Sequence, residues 1–411
     1  MMRDMDFVDE YYADKDLSLL KKLTLVIPTY NRNYYLSRCL WYHAHFPFGE
    51  IIVADSSPEE KKMVNRETVQ KIREKFGANV RYLEYEPETE KYGGDIYRKW
   101  GDAVQHVETE YSQFCTDKAF KLPLSLVESI KYLDSNREYI ASQSGKFCYY
   151  INNNNQHKEN HISETINTYK SETNDSGLIR FLNSISNKNG NFSNSLLLCI
   201  TRTKILKQIY NSMTDYSIND IRYGEIYLAY AGHLLGKYHA EDDDVFSIRD
   251  ITQITKERKL SPKIKSGESS TTRYPYLSDD EYTSSPEGKR HYQSYKRAII
   301  EDLTKYTDVG KDKATKYIDS KLKYTLLNKY GNFPKSKLLI IIYLNHPKLS
   351  ILWDRVPDHL KQKIVGRSNN NENYHEITMT PDLMIIQKII EVTQHLYVND
   401  APIKTTPTHI Y

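Results

Sequence analysis

The chain predicts an α/β fold, a mostly parallel sheet flanked by helices, followed by a mainly helical C-terminal region. Three observations carry this expectation. Four short apolar or alternating stretches lie between Leu23 and Thr116, separated by amphipathic helical patterns. Strand–helix alternation over about a hundred residues calls for parallel pairing with right-handed crossovers. Three of the stretches end in polar clusters, Thr29 to Arg32, Asp55 to Ser57 and Asp117 to Lys118. Parallel pairing brings such ends to one edge, where open parallel sheets bind ligands. Beyond about residue 290 the apolar residues recur only at helical spacing.

Taken in order, Thr24 to Ile27 reads as a buried strand. Pro28 has no N–H to donate and is expected to stop the ladder. Thr29, Tyr30 and Arg32 follow where a strand hands over to a helix; hydroxyl, phenol and guanidinium suit a ribose, a base face and a diphosphate. Asn33 is expected to cap a helix with Leu36, Cys39, Leu40 and His43 on one stripe. Glu50 to Ala54 is a second strand, ending in Asp55, Ser56 and Ser57. Pro58 opens a helix that stops at Gly77. Asn79 to Tyr85 alternates as a third strand, and Ile96, Trp100, Ala103, Val104 and Val107 mark the next helix. Tyr111 to Thr116 is the fourth strand, ending at Asp117.

Composition narrows the class. Lys plus Arg is 57 against Asp plus Glu 54, a net charge of +3, which makes no electrostatic case for nucleic acid. The four cysteines, at 39, 115, 148 and 199, show no CxxC spacing and suit a reduced, cytoplasmic setting. The first sixteen residues are too acidic for a signal peptide. The longest apolar run, Leu338 to Leu344, is seven residues, far short of a bilayer span.

The ordered set PTYNR at 28–32, IIVADSS at 51–57 and YSQFCTDKAF at 111–120 resembles the family 2 glycosyltransferases and their close relatives. The resemblance covers roughly residues 21 to 250. It implies a GT-A fold, a Rossmann-like nucleotide half joined to an acceptor half, acting on a nucleotide-sugar donor. It further implies that Pro28, Thr29, Tyr30, Arg32, Asp55 and Ser56 hold the nucleotide. Relatives carry an Asp-x-Asp after the fourth strand that binds a divalent metal, Mg or Mn, on the sugar diphosphate. This chain departs from that pattern. Asp117 is present, Ala119 stands where the second carboxylate is expected, and Lys118 lies between. Two routes stay open: a metal held by Asp117, the phosphates and water, or direct neutralisation of the diphosphate by Lys118.

The middle of the chain supplies the remaining candidates. Leu122 to Leu133 reads as a helix, Tyr139 to Ser144 as a strand with Phe147 to Ile151 paired beside it, and Asn152 to His161 as a polar loop. Asn194 to Thr201 is expected as a strand and Arg202 to Ser212 as a helix. In the helix from Asp220 to Leu235, an acid near the start matches the position of the family's catalytic base. Glu225 is the better match and Asp220 the second; the chemistry needs a carboxylate in reach of the acceptor hydroxyl. Tyr238 to Ile248 reads as a strand interrupted by an acidic surface turn at 241–244, and Arg249 resembles a late phosphate-contacting residue of the family.

The expected organisation is an N-terminal extension (1–20), a GT-A domain (21–250), a linker or wrapping loop (251–290) and a helical domain (291–411), with further helical patterns at 316–330, 335–344, 359–364 and 383–396. The expected activity is inverting transfer of a sugar to an acceptor hydroxyl on a glycan, a lipid-linked carrier or a protein, in glycan or surface polysaccharide synthesis. The enzyme is expected in the cytoplasm, with peripheral contact to the membrane's inner face and homo-oligomerisation left open. A nucleotidyltransferase is the first rival, disfavoured because PTYNR lacks a Gly-rich phosphate loop. A catalytically weakened binding protein on the same sheet is the second.

Overall fold

The structure, a computed structural model, describes residues 6–87, 96–151, 161–164, 171–186, 196–250, 286–316, 318–319, 375–376 and 380–399. Its strands are β1 (Leu23–Thr29), β2 (Glu50–Asp55), β3 (Val80–Glu84), β4 (Tyr111–Phe114), β5 (Ala119–Lys121), β6 (Tyr139–Ile151), β7 (His161–Glu164), β8 (Ile200–Arg202), β9 (Lys237–Asp250) and β10 (His375–Glu376). They form one mixed sheet in the order β10-β7-β6-β8-β4-β1-β2-β3, with β9 pairing both β5 and β6. The run β3-β2-β1-β4 is parallel throughout. β6 and β9 are also parallel over a long register, whereas β8, β7, β10 and β5 join antiparallel.

Among the described residues, helices α1 (Asp6–Tyr12), α2 (Asn33–His43), α3 (Glu59–Phe76), α4 (Ile96–Gln105), α5 (Pro123–Ser135), α6 (Gly177–Ser186), α7 (Thr203–Asp215), α8 (Ile221–Leu235), α9 (Pro286–Tyr306) and α10 (Pro381–Asn399) accompany the sheet. The expected class, α/β with helical C-terminal segments, holds.

The alternation within the strands explains the layers. Successive side chains of a strand point to opposite faces. Leu23, Leu25, Ile27, Ile51 and Val53 enter one buried cluster, with residues of α1, α2, α3, α5 and α10. Val26, Ile52 and Ala54 enter the other, with α4, α6, α7, α8 and α9. The C-terminal helices are therefore divided between the two faces. Leu383, Ile386, Ile389 and Ile390 are fully buried in the first core, and the Tyr12 hydroxyl donates to Asp382 Oδ1 at 2.6 Å, tying α1 to α10. On the second face the Tyr227 hydroxyl of α8 donates to Asp302 Oδ2 of α9 at 2.6 Å.

Several expectations need correction. Pro28 does not stop the ladder: β1 continues to Thr29, with Pro28 opposite Ala54. The geometry makes the proline harmless. Val26 bonds toward β4 through its carbonyl, which accepts from Cys115 N, so the ring two residues on faces the same way, beyond the last β4 residue Phe114. Thr29 faces β2, and its carbonyl accepts from Ser56 N at 3.2 Å. No donor is needed where proline lacks one.

The fourth strand ends at Phe114, two residues early, and Ala119–Lys121 forms a separate strand. The two stretches expected at 139–144 and 147–151 are one strand, β6, whose register against β9 shifts at three points. β8 spans only Ile200–Arg202, and the acidic run 241–244 lies inside β9 rather than in a turn. Pairing on either side of the charges decides this: Ser144 pairs with Glu241 and Lys146 with Val245, so the acids sit in a register shift within the strand. The loop 152–160, the linker stretch 251–285 and the helical patterns at 320–330, 335–344 and 359–364 lie outside the described residues. Among the described residues, no helix is long and apolar enough to cross a membrane.

Candidate functional site

The site is built where β1, β2 and β4 end. Thr29 is the last residue of β1, and its hydroxyl donates to Asp117 Oδ2 at 2.9 Å. Asn31 then turns the chain in the left-handed region, φ 54°, a conformation that Asn tolerates better than most non-glycine residues. Its N–H is accepted by Ser57 Oγ at 2.8 Å. The turn sends Arg32 back over the sheet edge, where Nη1 reaches Asp117 Oδ1 at 3.4 Å. The Asp117 side chain is 2 % exposed and that of Arg32 15 %. Two chain segments about ninety residues apart thus meet on one buried carboxylate. Tyr30 stands beside them, half-buried.

The end of β2 is tied down independently. Asp55 is fully buried. Its Oδ1 accepts from Ser57 N at 2.7 Å, an Asx turn, and its Oδ2 accepts from Asn65 Nδ2 at 2.6 Å and from the Tyr82 hydroxyl at 2.5 Å. Burial and the Asp55 bond push the Tyr82 phenol up, so it remains a donor. Asp55, expected to contact the nucleotide, also shapes the 55–57 turn through these bonds. Ser56 is fully buried: its Oγ accepts from Lys99 Nζ at 2.9 Å, and the same ammonium donates to Thr29 O at 3.3 Å. Lys99, buried on α4, was missed in the sequence. The signal was readable: a lysine three residues after Ile96 lies on the apolar stripe of a helix.

The turn after β4 is fixed by the pairing of β5 with β9. Ala119 is opposite Arg249, and Asp250 N donates to Lys118 O at 3.0 Å. Lys118 is 1 % exposed, and its Nζ lies 5.1 Å from the centre of the Tyr35 ring on α2. Asp250 in turn accepts from Arg38 Nη2 at 2.7 Å, and both side chains are buried. Arg38 and Asp250 were also missed, because their meeting depends on two elements more than two hundred residues apart.

The two base candidates differ in their surroundings. Asp220 is buried and caps α8, its Oδ1 accepting from Tyr223 N at 3.1 Å, the usual work of an Asp before a helix. Glu225 is half-buried and makes no hydrogen bond or ion pair among the described residues. Gly224 beside it meets Tyr97 of α4, so a Cβ there would come within 2.3 Å of the ring. That contact brings the start of α8 against the start of α4, the helix that carries Lys99.

The donor set around Asp117 does not fit a divalent cation. Its two oxygens face a hydroxyl and a guanidinium, position 119 offers a methyl group, and an ammonium follows directly. Hard cations take several oxygen ligands. Among the described residues, the group of side chains close enough to share an ion is Cys39, His43 and Cys115. The hydrogen-bond network assigns His43 a proton on Nδ1, which donates to Cys39 O at 2.8 Å, while Nε2 accepts from Lys121 N at 3.2 Å. Metal on Nδ1 would move the proton to Nε2, against the Lys121 N–H. Burial pushes the Cys39 thiol up, and both thiols face the Ala119 carbonyl at 3.5 Å. These three side chains form a buried core cluster.

No family model and no curated protein matches the chain. Among solved structures it is similar to S. aureus TarS 1–349, at 14% identity over 87% of this chain and 99% of that one, with a TM-score of 0.39. The same fragment in complex with UDP gives 13% identity over 86% and 98%, TM-score 0.41. The complex with UDP-GlcNAc gives 13% over 87% and 99%, TM-score 0.36. The likeness is distant at the level of superposition, and no residue role in this chain follows from it.

Proposed function

We propose that the chain is a glycosyltransferase with a GT-A domain over residues 21–250, moving a sugar from a nucleotide-sugar to an acceptor hydroxyl. One observation carries the reading: three polar strand ends, predicted to converge, do converge, with Thr29 and Arg32 meeting on Asp117 at the carboxyl edge of parallel strands. In this reading Pro28, Thr29, Tyr30, Arg32, Ser56 and Arg249 line the nucleotide-sugar, and Asp55 sets the 55–57 turn on which Ser56 stands. Asp117 orients Arg32 toward the diphosphate.

Transfer would proceed with inversion, in one displacement. Glu225 takes the acceptor's proton, since an unengaged, half-buried carboxylate is available for it; Asp220, committed to its helix cap, is the reserve. Charge developing on the departing diphosphate is met by protein cations, Arg32 and Lys118, rather than by a resident metal. The acceptor is a hydroxyl on a glycan, a lipid-linked carrier or a protein, in surface polysaccharide synthesis, with the C-terminal helices closing both faces of the donor domain. A cytoplasmic setting, with contact to the membrane surface or to a second copy, belongs to the same reading.

The test is to incubate the full chain with a panel of nucleotide-sugars and follow released nucleoside diphosphate. Slow donor hydrolysis that depends on Glu225 is expected. Donor binding without any turnover favours the second reading, a binding protein, whose motivating observation is Lys118-Ala119 where the second metal-binding carboxylate is expected. Absence of both binding and turnover across the panel would end the donor reading.

A further inference from the structure

Arg38 and Asp250 form a pair that none of the roles above uses. The guanidinium is 2 % exposed. It lies 5.4, 5.3 and 5.2 Å from the ring centres of Tyr34, Tyr35 and Phe120. Its hydrogen bond runs from Nη2 to Asp250 Oδ2, while Nε and Nη1 have no hydrogen-bond partner among the described residues. A buried ion pair contributes little to stability compared with an apolar pair of the same volume. Its presence asks for another account.

The placement supplies one. Asp250 closes β9, and its N–H donates to Lys118 O. In the antiparallel register Ala119 faces Arg249, so Lys118 and Asp250 belong to one face of the ribbon and Arg249 to the other. On α2, the Tyr35 ring lies beside both Arg38 and Lys118. The pair thus joins α2 to the end of β9, and β9 to the Asp117–Ala119 turn. We infer that Arg38 and Asp250 are positioning residues that set where Lys118 and Arg249 stand, and through them the affinity for the diphosphate part of a nucleotide. This inference rests on the donor-site reading.

The experiment compares calorimetric binding of nucleoside diphosphates with that of the matching nucleosides to the full chain. For Arg38→Met, diphosphate affinity is expected to fall by about two- to thirty-fold, the range for a residue acting through its neighbours, with nucleoside affinity unchanged. The Arg38→Met/Asp250→Leu double variant replaces the pair by apolar groups and is expected to melt at or above the wild-type temperature. It should nevertheless keep the loss of diphosphate affinity. Recovery of that affinity together with the melting temperature would reduce the pair to a structural one and overturn the inference. So would equal losses for diphosphate and nucleoside, or unchanged diphosphate binding in Arg38→Met. A wild-type chain that binds no nucleoside diphosphate removes the donor reading itself, and this inference with it.

Discussion

Asp55 has both oxygens engaged by three donors at the bottom of the site. Asp55→Ala would leave Ser57 N, Asn65 Nδ2 and the Tyr82 hydroxyl without their acceptor, and each buried donor left so costs about 1–3 kcal/mol. A clear fall in the denaturant midpoint is expected, with nucleotide binding lost as a consequence. A variant with wild-type stability and selectively weakened binding would instead make Asp55 a direct contact. Glu225→Gln keeps shape and removes proton acceptance, so turnover is expected to fall by about 10²–10⁴ with donor affinity nearly intact. Near-normal turnover shifts the role to Asp220 or away from both acids. Lys118 and Asp117 decide the question of charge. With Asp117 held by Thr29 and Arg32, chelation by EDTA should reduce activity modestly or not at all. Lys118→Ala should cost more, about 10²-fold or beyond, as loss of a preorganised electrostatic partner does. Total loss with EDTA beside a silent Lys118→Ala is the ranking that defeats this account.

At the scale of an element, α8 shows how one helix carries both a cap and a buried imidazole. Asp220 caps its start. Near its end, burial pulls the His233 imidazole down to about 4, with Arg180 adding to the effect. Arg180 donates to His233 O at 2.8 Å and to Leu234 O at 3.2 Å, closing the helix's last carbonyls. The unfolded chain titrates His near 6.5. Below that pH the unfolded state binds a proton that the folded state refuses, so stability present at neutral pH is lost as the pH falls from about 6.5 toward 4. Between pH 7 and pH 5 the loss from this one residue is about 2 kcal/mol. In His233→Leu the fall in stability over that interval should be shallower by about this amount. An identical pH slope in the variant would show that His233 is not responsible.

For the whole molecule, the two cores bind the ends of the chain to its middle. α10 buries Leu383, Ile386, Ile389 and Ile390 among residues of β1, β2 and α2, and Asp382 is bonded to Tyr12 near the N-terminus. Trp41 of α2 lies in the same core and reports on it by fluorescence. Ile386→Ala should destabilise by about 2–5 kcal/mol and shift a single cooperative transition seen by Trp41. Two transitions, with Trp41 following the unshifted one, would mean that the C-terminal segment folds apart from the sheet.

Local pattern was enough for the parallel half of the sheet, because its information is local. Alternating apolar residues, a left-handed glycine at 77 with φ 61° and polar residues after each strand are short-range signals. The convergence of Thr29, Arg32 and Asp117 followed from one topological rule, that parallel strands end on one edge. Pairing decided the rest. Whether proline breaks a ladder depended on which side of β1 needed a donor. Whether four acids make a turn depended on the pairing of β6 with β9 on either side of them. That Asn65 and Tyr82 donate to Asp55 depended on the fold as well. Arg38 and Asp250 are silent in the sequence, since an ion pair between positions 38 and 250 exists only once α2 and β9 are brought together by the fold.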